Sequence, residues 1–380
     1  MPDPTLRLLR DLVAIDSVNP SLVPDAAGEA AVAASVARAL RAAGLDVDVT
    51  EVAPGRPNVV GVLEGRAPGR SLMYCGHLDT VGVAGMDAPF DPIEREGRLY
   101  GRGAQDMKGG LAAMIGAAAR LAGQGLPAGR LIVAAVVDEE HASLGAEALV
   151  TRWRADAAVV TEPTDLAIAV AHKGFAWMEI VVSGVAAHGS RPAEGQDAIL
   201  RMGRVLARLE ALDRALQRRP PHPRLGTASL HASLIEGGRE LSSYPDRCTL
   251  QMERRTLPGE AADVAAAEVG AILHALREED SSFEAVARAT FGRPPYELAA
   301  GHPLPDLLAA AAHRIGRPAA VTGASFWTDA AVLGQAGIPS VLFGPGGAGL
   351  HSTTEYVNIE DVLMCRDALA ELALDFCGRA

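Results

Sequence analysis

Over its first 172 residues the sequence alternates helical stretches with short apolar runs, and each run breaks off in polar residues. The runs are NVVGVLEG, SLMYCGH, LIVAAVVDEE and AAVVTEP, and their length and apolar character suit buried strands. Between them lie GEAAVAASVARALRAAG, closed by Gly44, and GGLAAMIGAAARLAGQG, whose leading Gly-Gly lets a helix approach its neighbour closely. That rhythm builds an α/β sheet. At Lys173-Gly174 it changes. FAWMEIVVSG, a long amphipathic helix from about Asp197 to Leu216, SLHASLIEGG, RCTLQMERRT, the helix AADVAAAEVGAILHAL and FEAVARATF follow in β-α-β-β-α-β order. This is the order of a ferredoxin-like unit, an open sheet with helices on one side. After GRPPYELAAGHP the first pattern resumes and ends in a helix over 359–376. The sequence therefore predicts one α/β domain, residues 1–173 and 291–380, interrupted by a smaller α+β domain at 174–290.

A chain of 380 residues exceeds what one hydrophobic core comfortably serves, in keeping with two domains. The 49% hydrophobic and 22% charged residues are those of a globular protein. With 35 basic against 47 acidic residues the net charge is −12, which disfavours nucleic acid and anionic membranes as partners. No run of about 18 apolar residues offers a membrane span. MPDPTLRLLRDLVAIDSVNP reads as an amphipathic helix rather than a signal peptide. Cys75, Cys248, Cys365 and Cys377 lie far apart without CxxC spacing, so reduced thiols and a cytoplasmic location are expected.

Several polar groups sit where strands run out. His77 and Asp79 follow SLMYCG, Glu139 and Glu140 follow LIVAAVVD, and Glu162 follows AAVVT. GRGAQDMKGG puts Asp106 in a Gly-rich loop, and GPGGAGLHSTTEYV puts His351 in another. Taken singly each has an ordinary explanation: a turn, a helix cap, a solvated strand end, a loop histidine. Taken together they would converge on the crevice at the carboxyl ends of the strands. Two histidines and three or four carboxylates there repel one another unless cations neutralise them. A His/carboxylate set without Cys suits zinc, cobalt or manganese, and five ligands suit two metals sharing one carboxylate rather than a single catalytic zinc.

GHLDTV, GRGAQDMKGG, DEEHASLG, TEPT, AHGSRP, ERRTLPGE and HSTTEYV occur in this order across nearly the whole chain. In that succession the sequence resembles the di-zinc amidohydrolase and metallopeptidase family of acetylornithine deacetylase, succinyl-diaminopimelate desuccinylase, aminoacylase and glutamate carboxypeptidase. The resemblance implies a zinc-exopeptidase-like catalytic domain, a mixed sheet flanked by helices, with the inserted domain as a lid through which two copies dimerise. It implies that His77 and His351 each bind one of two divalent metals and that Asp106 bridges them. Glu162 completes the site of His77 and Glu140 that of His351. Asp79 accepts the free N–H of His77, and Glu139 is the general base acting on a bridging water. The peptide bond at Asp106 or its neighbour is often cis in that family.

In the inserted domain, the resemblance makes His188 the group that polarises the scissile carbonyl and Arg255 the grip on a substrate α-carboxylate. Strand alternation turns Arg254 to the opposite face. Ser242 stands where many relatives carry Asn in contact with substrate, and Glu253 where many carry Asp. The only two lysines, Lys108 and Lys173, lack the apolar setting of a Schiff-base lysine and are expected to be structural. The implied activity is hydrolysis of the amide of an N-acyl-L-amino acid, in the manner of acetylornithine deacetylase or succinyl-diaminopimelate desuccinylase. A carboxypeptidase or dipeptidase with the same site, or a non-catalytic ligand-binding relative, are the competing readings.

Overall fold

The computed structural model describes residues 3–378, which divide into two compact units. The first runs through Val170 and adds Leu298–Gly323 and the chain from Thr328 onward; the second is Ala171–Glu297 with Ala324–Trp327. The second unit reaches further than the stretch 174–290 because the strand Glu284–Arg293 continues past residue 290 and Tyr296–Glu297 pairs with Ala171 and His172.

In the first unit the central strand Ser71–His77 is flanked in parallel by Arg130–Val136 and Ala157–Val160, with Ser340–Leu342 parallel to the latter. Arg56–Glu64 pairs antiparallel with Arg130–Val136, and Asp46–Ala53 pairs antiparallel with Arg56–Glu64, so the sheet is mixed. Residues Leu72 to His77 are buried in succession, as expected of a strand covered on both faces. The helix Ala30–Ala42 ends where Gly44 takes φ +88°, a left-handed conformation that glycine adopts without steric cost.

The helix Gly109–Gln124 shows why its sequence begins Gly-Gly. A Cβ on Gly110 would stand 2.0 Å from the main-chain oxygen of Thr161, so only glycine lets the helix seat against the strand end that carries Glu162. A small third sheet, unannounced by any periodicity, joins Ile93–Arg95, Arg98–Tyr100, Gly347–Ala348 and Tyr356–Asn358. The loop bearing His351 springs from it.

The second unit is an antiparallel sheet in the spatial order Ser229–Gly237, Arg247–Thr256, Gly174–Ser183, Glu284–Arg293. This is the ferredoxin-like order, in which the first and third strands in sequence lie at the centre. The helices Ala198–Gln217 and Val264–Glu279 cover one face, where Met178, Ile180, Val182, Leu250 and Met252 pack against Met202, Val205, Val269 and Leu273. Asp197 caps the first helix by accepting from the Leu200 N–H at 2.9 Å. All four cysteines are buried free thiols. No helix among the described residues is long and apolar enough to cross a membrane.

Candidate metal centre

Three strand ends and two loops of the first unit bring six of the named side chains together. His77 terminates its strand, and its Nδ1–H donates to the main-chain oxygen of Asp79 at 2.9 Å. That bond leaves Nε2 directed at Asp106 Oδ1, 3.0 Å away, with Glu162 Oε1 at 4.0 Å. The other oxygen of Asp106, Oδ2, lies 3.4 Å from His351 Nε2, and His351 Nε2 lies 3.1 Å from Glu140 Oε2. Asp106 thus turns one oxygen to each histidine, while Glu162 sides with His77 and Glu140 with His351. Ligand atoms of His77, Glu139 and Glu162 lie within 4.8 Å of one another, as do those of His77, Asp106 and Glu140. The Asp106–Met107 peptide bond is cis.

Asp79 differs from expectation in how it meets His77. Its carboxylate Oδ1 is 3.7 Å from Nδ1, and the main chain takes the imidazole N–H instead. The carboxylate is already engaged. It accepts from Asn19 Nδ2 at 2.8 Å and from the Glu139 and Glu140 N–H groups at 3.2 and 3.1 Å, so it anchors the turn that carries those two acids.

The electrostatics follow from burial and crowding. Burial raises the carboxyl group of Glu139, with the charge of Glu162 adding to it, and raises Glu140, with Asp106 adding. Burial also raises Glu162, more than neighbouring His77 lowers it. Burial opposes a charged His77, but the bond to Asp106 and the charges of Glu162 and Glu139 outweigh it and push His77 well up. Hydrogen bonds to Asp106 and Glu140 push His351 up to about 10. Burial disfavours an ionised Asp106, yet the bonds from His351 and His77 hold it well below the usual carboxylate range. A cluster in which imidazoles hold protons tightly and buried acids resist ionisation is one that calls for cations.

The residues fit divalent metal ions. Oε1 of Glu140 is buried and has no hydrogen-bond partner among the described residues, an electron-pair donor withheld from water and from every N–H. The donors are imidazole and carboxylate throughout, a set that suits zinc, cobalt or manganese.

Two supports escaped the sequence reading. Glu355 accepts from Arg102 Nη1 at 2.6 Å and from the N–H groups of Gly103, Gln105 and Asp106 at 3.0, 2.9 and 3.1 Å. It thereby ties the loop of His351 to the loop of Asp106; its only sequence signal was its place in HSTTEYV. On the other side, Asn19 Nδ2 joins Asp79 to Asp138, and Arg56 pairs with both Asp138, at 2.9 Å, and Glu29. Lys108 is buried with Nζ donating to the Ile15 oxygen at 2.8 Å, and burial lowers it to about 7.

The remaining candidates belong to the second unit. His188 is exposed; the N–H of Ser190 donates to its Nδ1 at 3.2 Å, which places the proton of the neutral ring on Nε2. Ser242 neighbours it, its main-chain oxygen accepting from the Gly189 N–H at 2.7 Å. Arg255 lies on the helix-free face and bonds Glu253 at 2.6 Å. Arg254 faces the other way, fully buried between Glu260 and Glu268. Lys173 Nζ donates to the Thr227 oxygen at 2.7 Å.

The model of peptidase family M20/M25/M40 matches residues 73–375. The chain belongs to that family. It is 32% identical over 381 residues to N-formyl-4-amino-5-aminomethyl-2-methylpyrimidine deformylase of Bacillus subtilis (strain 168), with 90% of this chain and 88% of that protein covered. It is 33% identical over 334 residues to acetylornithine deacetylase of Myxococcus xanthus, with 84% of each covered. Among solved structures it shares the fold of the YXEP protein of Bacillus subtilis, described as a dinuclear metal binding peptidase from M20 family. The TM-score there is 0.76 at 18% identity, over 99% of this chain and 98% of that one. This M20 chain is a metal-dependent hydrolase acting on carbon–nitrogen bonds.

Proposed function

We propose that this M20 protein is a di-metal deacylase that hydrolyses the amide of an N-acyl-L-amino acid. The observation that carries the reading is Asp106, whose two oxygens face two different histidines at 3.0 and 3.4 Å. Relatives at about this distance are named for removing formyl, acetyl and succinyl groups from amines.

His77, Asp106 and Glu162 would hold one cation, and His351, Asp106 and Glu140 the other, zinc by preference and cobalt or manganese as substitutes. When bound, such a pair lowers the pKa of water and polarises a carbonyl oxygen. Glu139 takes the proton of the attacking water and delivers it to the departing amine. The Asp79 carboxylate holds Glu139 in place through its main-chain N–H. His188, with its proton on Nε2, donates to the oxyanion. Arg255 takes the substrate carboxylate in its planar fork. Ser242, whose main-chain oxygen accepts from the Gly189 N–H beside His188, is the second substrate-contacting residue of this reading.

Two further expectations belong to this reading. The edge strand Ser229–Gly237 is exposed along most of its length and shows Leu234 and Ile235 to solvent, which supports pairing with a second copy to form a homodimer. Buried free thiols support a cytoplasmic setting.

The test is a metal-stripped protein reloaded with Zn²⁺, Co²⁺ or Mn²⁺ and assayed on N-acyl amino acids and dipeptides side by side. Hydrolysis of acyl amino acids that saturates at two metals per chain is expected. Preferential cleavage of dipeptides would transfer the protein to the carboxypeptidase or dipeptidase reading. Failure to take up any of these metals would leave a ligand-binding protein.

A further inference from the structure

The helix-free face of the second unit's sheet carries two successive cross-strand rungs of concentrated chemistry. Arg255, Phe175 and Arg293 stand abreast on three neighbouring strands, and one step along the same face stand Glu253, Trp177 and Phe291. The chain has only 7 Phe and 3 Trp in 380 residues, so three of these rings on one patch of solvent-facing sheet is a marked concentration. Ring centroids lie 5.3 Å apart for Phe175 and Trp177, 5.6 Å for Trp177 and Phe291, and 5.9 Å for Phe175 and Phe291.

Guanidinium groups border this plate. Arg255 lies 5.5 Å over Phe175, and Arg293 lies 5.2 Å over Phe291. Glu253 fixes two members at once, accepting from Trp177 Nε1 at 2.9 Å and from Arg255 Nε at 2.6 Å. The indole of Trp177 is therefore oriented by a hydrogen bond although the residue is 41% exposed. The exposed face of that oriented indole offers an aromatic surface on which a flat group can stack. Arg255 and Arg293 flank Phe175 on the neighbouring strands, with Lys173 close to Arg255, so this end of the plate is cationic and disfavours a further cation.

We infer that this plate selects substrates whose amino acid carries an aromatic side chain, the ring lying on Phe175, Trp177 and Phe291 and the carboxylate on Arg255. The inference rests on the deacylase reading above and on the role it gives Arg255. It sets aromatic amino acids ahead of ornithine or diaminopimelate, whose side chains end in a cation.

Two measurements on the metal-loaded full chain decide it. In the first, kcat/KM is compared for N-acetyl-L-phenylalanine, N-acetyl-L-alanine and N2-acetyl-L-ornithine. The phenylalanine derivative is expected to exceed the ornithine derivative by at least about tenfold, and Trp177→Ala to cut the phenylalanine-to-alanine ratio by about tenfold, chiefly through KM. Trp177→Phe, which keeps a ring, recovers most of that ratio. A preference for the ornithine derivative, or a ratio that Trp177→Ala leaves unchanged, overturns the inference. In the second, calorimetry compares binding of L-phenylalanine and L-ornithine, which need no turnover. Tighter binding of L-phenylalanine, weakened in Trp177→Ala, upholds the plate even where no amide is cleaved, an outcome that would remove the deacylase reading instead. Equal or tighter binding of L-ornithine overturns the plate.

Discussion

His77 Nε2 lies 3.0 Å from Asp106 Oδ1, with Nδ1 turned to the Asp79 main-chain oxygen, so Nε2 is the ring atom that faces the shared carboxylate. The other Asp106 oxygen, Oδ2, lies 3.4 Å from His351 Nε2. Asp106→Asn keeps the shape and removes the charge shared by the two halves. Metal content after gel filtration is expected to fall from two ions to one or none per chain, with kcat reduced by at least about 100-fold. Two ions retained at wild-type affinity would separate Asp106 from the bridging role.

Glu355 is the staple between the loops of Asp106 and His351, through three N–H groups and Arg102. Glu355→Gln keeps the size but weakens charge-assisted bonds. Metal affinity is expected to drop by about 10- to 100-fold, as for other groups that orient ligands without touching the ion. Competition with a chromophoric chelator reads this directly, and unaltered affinity would limit Glu355 to holding the chain.

Arg56 neutralises two carboxylates that have no exposure to solvent, Glu29 and Asp138. Arg56→Met leaves both without their cation and should cost about 3–5 kcal/mol, seen as a lower midpoint in denaturant. Adding Glu29→Gln to that variant removes one stranded charge and is expected to recover part of the loss.

His172 provides a pH dependence outside the metal centre. It is fully buried in the second unit beside Tyr296 and Trp327, its Nε2 makes no hydrogen bond among the described residues, and burial lowers it from 6.5 to about 4. Below pH 6.5 the unfolded chain takes up a proton that the folded imidazole refuses until about pH 4. The unfolded state then binds more protons, so stability falls as pH drops through that window, by about 3 kcal/mol in all. His172→Phe cannot titrate. The stability difference between wild type and variant, measured by denaturant unfolding, is expected to shift against the wild type from pH 7 to pH 4.5. A difference independent of pH would contradict the buried neutral imidazole.

What could be read from the sequence was what local pattern encodes. The strand-end positions of His77, Glu139, Glu140 and Glu162 followed from apolar runs that stop, and the opposite fates of Arg254 and Arg255 followed from the two-residue alternation of a strand. The ferredoxin-like order was visible because its strands are nine or ten residues long and its helices amphipathic. The small sheet around Tyr100 and Tyr356 was hidden because strands of two or three residues have no measurable period. Asn19 and Asp138, 119 residues apart, meet only through tertiary folding, as do Arg102 and Glu355, 253 apart. No local spacing announces such pairs. The main-chain rather than carboxylate contact from Asp79 to His77 was likewise beyond reach, since residue identity does not say which oxygen a ring will meet.

In the proposed reaction Glu139 moves the proton while its neighbours hold the metals. Glu139→Gln separates these two roles when kcat and metal content are measured on the same preparation. The variant is expected to keep two metals per chain and a KM close to that of the wild type, with kcat at least about 100-fold lower. Near-normal turnover with both metals in place would contradict it.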